Sequence, residues 1–91
     1  MIKDLKNISS QIILFGSCAD GEDHNQSDID LLILSDKEKE VNRVLDHHQN
    51  MIQRKISPVI LNDTGFRELS HKDKLFYLRI KKGRVLYEIS V

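Results

Sequence analysis

The stretch from Leu14 to Leu34, LFGSCADGEDHNQSDIDLLIL, decides how this chain is read. It opens inside an apolar, partly β-branched run, Gln11 to Phe15, that stops at Gly16; this pattern predicts a buried strand. It closes on Asp28 to Leu34, a second strand. The first half of that strand alternates, with Asp28 and Asp30 on one face and Ile29 and Leu31 on the other. The second half is apolar on both faces. Between the two strands, Ser17 to Ala19 suits the start of a helical turn, and Gly21 to Ser27 is polar throughout, as a solvated loop would be.

The two aspartates set the chemistry. Residues i and i+2 of a strand point to the same side, about 6.6 Å apart along the chain. Two carboxylates so placed repel each other unless a cation lies between them. Magnesium suits such an open pair, because it takes a few carboxylates and completes its shell with waters and substrate phosphate oxygens. Two ions about 3.5–4 Å apart would clamp the attacking and leaving oxygens of a phosphoryl displacement. Gly16 lets the backbone approach a ligand closely. Ser17 adds a hydroxyl and an N–H group at the start of a turn, where unpaired N–H groups favour anions. These residues point to a phosphate site at Gly16 and Ser17 and to Asp28 and Asp30 for metal and catalysis; Ser27, next to the pair, is a further candidate nucleotide contact.

Either half alone is weak. An Asp-x-Asp pair on a strand more commonly marks a solvated edge, and Gly-Ser after a strand is usually a plain turn. The specific signal is the combination: strand, Gly16-Ser17, a nine-residue spacer from Cys18 to Gln26, then Ser27-Asp28-Ile29-Asp30 opening an apolar strand.

Outward from this core, residues 2–8 form a short amphipathic segment through Ile2, Leu5 and Ile8. Asp36 is placed to cap a helix running to about Gln53, with Val41, Val44, Leu45, His48 and Ile52 at helical spacing. Ile56 to Leu61 predicts a third strand, which Pro58 pushes to a sheet edge. Asn62 or Asp63 then caps a helix through Leu69. Residues 72–81 predict another helix, with Leu75, Phe76, Leu78 and Ile80 apolar and Gly83 closing it. Arg84 to Glu88 is the last strand. Strands alternating with helices point to one α+β domain over residues 1–91: a small mixed sheet packed against helices, covered mainly on one face.

Net charge is zero, with 14 basic and 14 acidic residues, so no global field draws the chain to nucleic acid or to a membrane. The distribution is uneven. From Asn7 to Asp36 there is no Lys or Arg but there are six acids, Asp20, Glu22, Asp23, Asp28, Asp30 and Asp36. Such a cluster destabilises the fold unless a cation or a basic partner offsets it. Cys18 is the only cysteine, which excludes an intrachain disulfide and fits a reducing cytoplasm. No apolar run approaches the roughly 20 residues that span a bilayer, and the first residues lack the apolar stretch of a secretory signal.

The stretch LFGSCADGEDHNQSDIDLLIL resembles the signature of the minimal nucleotidyltransferases of the DNA polymerase beta superfamily, which also includes kanamycin nucleotidyltransferase. The specific part of the resemblance covers residues 13–34; a looser likeness continues through RVLYE near the C-terminus. It implies that Gly16 and Ser17 hold a nucleoside triphosphate and that Asp28 and Asp30 hold Mg2+. It also implies transfer of a nucleoside monophosphate to a hydroxyl of a protein or small molecule. Two departures stand out. Where many relatives have Ala-Arg-Gly, this chain has Ala19-Asp20-Gly21, without the cation beside the phosphates. The third carboxylate of active members falls at Ser57, and a serine supplies neither an anionic ligand nor, unaided, a base. The alternative is therefore a catalytically degenerate module that binds a partner. The resemblance gives this a form: pairing with an all-helical HEPN-like protein as antitoxin to toxin. A homo-oligomer is the other expected assembly.

The remaining polar and aromatic residues read plainly. His24 is a solvated loop residue, and the adjacent His47 and His48 diverge by about 100° on a helix, too far to chelate one ion easily. Cys18 is a small packing residue. Lys81, Lys82 and Arg84 form a solvated basic face, and Phe76, Tyr77 and Tyr87 belong to core or interface.

Overall fold

The computed structural model describes residues 1–16 and 28–89. Among them lie four strands and four helices: α1 (Ile2–Leu5), β1 (Gln11–Phe15), β2 (Ile29–Leu34), α2 (Glu38–Gln49), β3 (Ile56–Leu61), α3 (Asp63–Lys72), α4 (Lys74–Lys81) and β4 (Arg84–Glu88). The strands form one mixed sheet in the order β3-β2-β1-β4. β1 runs antiparallel to both β2 and β4, whereas β2 and β3 are parallel and joined through α2. The two apolar runs bracketing the signature stretch thus become the central strands. Pro58, which has no N–H to give a ladder, stands on an outer strand as its chemistry requires.

The expectation of a sheet covered mainly on one face is corrected: helices cover both. On one side Leu5 of α1 and Val41 and Leu45 of α2 pack with Ile12, Leu31, Ile33 and Ile56. On the other, Ile80 of α4 packs with Ile13, Phe15, Leu32 and Leu34, joined by Phe66 and Leu69 of α3 and by Phe76. The run Leu31–Leu34 is buried at every position, and a strand apolar on both faces needs a helix layer on each.

Helix ends follow local chemistry. Asn62 caps α3 by accepting from the Gly65 N–H at 2.7 Å, and Asp73 caps α4 by accepting from the Phe76 N–H at 3.2 Å. Asp36 does not cap α2. The hydroxyl of Ser35, buried beneath it, accepts from the Lys37 N–H and donates to the Ile8 carbonyl, and the helix starts at Glu38. α2 also ends at Gln49, earlier than expected, leaving Ile52 outside it and 38% exposed. His48 Nε2 lies 2.9 Å from Asp4 Oδ2, tying α2 to α1; this hydrogen bond holds the Asp4 carboxyl below the usual carboxylate range. In α4 the packed side is Phe76 and Ile80; Leu75 is 83% exposed and Leu78 43%, so the apolar face is narrower than the sequence predicts. Among the described residues no helix is long and apolar enough to cross a membrane.

Gly83 makes the α4–β4 junction possible. A Cβ there would stand 2.5 Å from the Leu14 carbonyl oxygen and 2.9 Å from Ile13 Cγ2. With no side chain, the turn passes directly against β1, and the last turn of α4 is brought to the end of β1 where Phe15 gives way to Gly16.

Candidate active site

Three strand ends meet at one end of the sheet: the C-terminal end of β1 and the N-terminal ends of β2 and β3. Phe15 pairs with Asp30, and Asp30 in turn pairs with Ser57. Residues paired across adjacent strands project to the same face, so Asp30, Phe15 and Ser57 share the α3/α4 side of the sheet. Beyond the end of β2, the Asp28 carboxylate accepts a hydrogen bond from the Ser57 hydroxyl at 3.0 Å. Asp28 is exposed and Asp30 half-buried, so both residues reach solvent.

Gly16 completes the group. Its φ is +77°, in the left-handed region that favours glycine. A Cβ on Gly16 would stand 2.3 Å from Asp30 Oδ2, so the Asp30 carboxylate lies over the glycine in space that any side chain would fill. The two halves of the signature stretch therefore do come together, one as the bare backbone turn and the other as the carboxylate resting on it. Ser17 and Ser27, the other expected nucleotide contacts, lie outside the described residues, as do Cys18, Asp20 and His24.

One side chain that sequence reasoning missed also reaches this point. Arg79, in the last turn of α4, brings Nη2 to 3.2 Å from where a Gly16 Cβ would stand. Its guanidinium lies 5.8 Å from the centroid of the Phe15 ring, a cation–π distance.

The donor set fits a metal held jointly by protein and substrate. Among the described residues no group of three or more His, Cys, Asp or Glu side chains is placed to hold an ion. A pair of carboxylates on an open strand end is what magnesium takes when waters and phosphate oxygens supply the remaining ligands. A cleft of about 250 Å³ lies instead at the opposite end of the sheet, between Ser10, Ser35 and Asn62. Its Ser35 hydroxyl and Asn62 side chain are spent on the chain's own turns.

The sequence profile of the family described as Polymerase beta, Nucleotidyltransferase matches residues 1–90. The chain belongs to that family. No curated protein and no solved structure matches it significantly. Membership gives the four-stranded α+β architecture its type, a nucleotidyltransferase-like fold, and supports a nucleotidyltransferase-type function.

Within this nucleotidyltransferase fold Gly16 has no tolerable substitute. Gly16→Ala is expected to destabilise the domain by about 1–3 kcal/mol, the usual cost of forcing a side chain into the left-handed region. It should also displace the Asp30 carboxylate. Urea unfolding followed by circular dichroism checks the first effect, and loss of any magnesium-dependent stabilisation checks the second.

Proposed function

We propose that this domain transfers a nucleoside monophosphate from a nucleoside triphosphate to a hydroxyl of a protein or small molecule, with Mg2+ held by Asp28 and Asp30. The observation that carries the reading is the Asp30 carboxylate lying on the bare Gly16 turn, with Asp28 beside it at the same strand end. Family membership supports the reaction type. Magnesium bound there would neutralise the two carboxylates and polarise the phosphoryl group under attack. Asp28 and Asp30 would fix the ion's position, and the bare Gly16 turn leaves room for the Asp30 carboxylate that does so. Ser17 and Ser27 complete the proposed nucleotide contacts.

A second reading has an observation of its own. Ser57 stands opposite Asp30 and donates to Asp28, so the position facing the carboxylate pair from β3 carries a hydroxyl. A serine does not draw a proton from an acceptor hydroxyl without a base behind it. In this reading the domain binds metal and nucleotide, or a HEPN-like protein partner, without turnover. The apolar side chains Leu75, Leu78, Val85 and Ile89, each at least 43% exposed, support a partner or a second copy of the chain.

The test is incubation with labelled nucleoside triphosphate, magnesium and candidate hydroxyl acceptors, including the product of a neighbouring gene. Transfer by the wild-type protein supports the enzyme; binding without transfer supports the second reading. Ser57→Asp sharpens the distinction. Because Ser57 faces the pair, a third carboxylate there is expected to tighten magnesium binding and to raise transfer above the wild-type level.

A further inference from the structure

We propose that Arg79 is the cation that grips the outer phosphates of the triphosphate, and so makes this site selective for triphosphate over monophosphate. The proposal rests on the nucleotide reading above and adds a residue to it. The sequence from Asn7 to Asp36, which contains Gly16 and both aspartates, has no Lys or Arg, so positive charge has to arrive from elsewhere in the chain. α4 delivers it. Arg79 Nη2 and Asp30 Oδ2 both converge on the space above Gly16 Cα, at 3.2 and 2.3 Å from the absent Cβ. A ligand whose metal-bound phosphate met Asp30 through the ion would therefore present its next phosphate to the guanidinium.

Arg79 is also held in place. Its guanidinium lies over Phe15, a ring only 3% exposed that packs edge-on against Phe76 with centroids 5.7 Å apart. The next residue, Ile80, is fully buried and anchors that turn of α4. The side chain is exposed, so it is available to a ligand from solvent. A planar guanidinium with paired N–H groups suits phosphate oxygens better than a point charge does. Stacking on Phe15 removes part of the rotational freedom that phosphate binding would otherwise have to restrict.

The experiment is calorimetric titration of the full chain with ATP, with its non-hydrolysable α,β-methylene analogue and with AMP, each in excess magnesium, using wild type, Arg79→Met and Arg79→Lys. Arg79→Met is expected to weaken triphosphate binding about 10- to 100-fold, the worth of a charge-assisted hydrogen bond, and to leave AMP binding within a factor of two or so of wild type. Arg79→Lys should restore only part of the loss. Manganese binding without nucleotide, read by electron paramagnetic resonance, should be unchanged in both variants. Equal triphosphate affinity in wild type and Arg79→Met would overturn the role of Arg79 while leaving the nucleotide site standing. Equal weakening for ATP and AMP would overturn the selectivity. Failure of the wild type to bind any triphosphate would overturn the nucleotide reading and this proposal with it. Arg79→Lys keeps the stem and the charge, and supplies the comparison should Arg79→Met not fold.

Discussion

Asp30→Asn is expected to abolish magnesium-dependent nucleotide binding while leaving the free protein folded. Asp30 is the carboxylate that touches the Gly16 turn and pairs with both Phe15 on β1 and Ser57 on β3. Outer-shell partners of metal ligands typically cost about 10- to 100-fold in affinity when removed, and a direct ligand should cost more. The free protein should stay close to wild-type stability, since the substitution removes the repulsion between two carboxylates but also the attraction between Asp30 and the Arg79 guanidinium near it. Manganese binding by electron paramagnetic resonance measures the first effect and urea unfolding the second. An Asp30→Asn protein that binds metal and triphosphate as wild type does would remove Asp30 from the site.

The other large effect is on the fold itself. Ile80 is fully buried between α4 and the sheet, packed with Ile13, Phe15, Leu32 and Leu34. Ile80→Ala removes apolar contact and leaves a cavity, at a cost of about 2–5 kcal/mol. A domain of this length has a total stability of roughly 5–14 kcal/mol, so the variant gives up a large share of it. The melting temperature should fall by about 10–30 °C. Ile80→Val should cost only about 0.5–1.5 kcal/mol. Loosening this turn of α4 should also reach the site, because Arg79 precedes Ile80 and stands over Phe15. If Ile80→Ala melts within a few degrees of wild type, α4 does not seal that face of the sheet.

Most of the sheet was legible in the sequence. Gln11–Phe15, Ile29–Leu34, Ile56–Leu61 and Arg84–Glu88 are strands as their apolar runs and bounding turn residues predict. Pro58 placed β3 at an edge, and Asn62 announced the start of α3. The carboxylate pair was legible for a local reason, a two-residue period that puts Asp28 and Asp30 on one side; Gly16 was legible as a bare turn suited to a ligand, and the structure fills the space above it with the Asp30 carboxylate instead. Ser57 was visible as the position facing them, and the structure sets its hydroxyl on Asp28.

What the sequence hid depends on contacts between distant segments. Lys74–Lys81, KLFYLRIK, has apolar residues around most of its circumference, so periodicity does not choose between Leu75 and Phe76 as the buried position. Packing against Phe15 chooses Phe76. The sequence does not settle the start of α2, because Asp36 and Ser35 are both capable of accepting from nearby N–H groups. The buried Ser35, also bonded to the Ile8 carbonyl, takes the Lys37 N–H. Nothing in the sequence around Arg79 marks it as a site residue. It meets Gly16 only because β4 pairs beside β1 and Gly83 lets α4 turn against that strand, and no local pattern encodes this.

The most direct test of the central claim is the melting temperature of the wild-type chain with magnesium and a nucleoside triphosphate. At a ligand concentration 100 times the dissociation constant, linkage predicts about 2.7 kcal/mol of stabilisation, a rise of roughly 10 °C or more for a domain of this size. The same ligands should leave a protein carrying both Asp28→Asn and Asp30→Asn unmoved. A wild-type melting point unchanged by magnesium with any common triphosphate at millimolar levels would contradict the account.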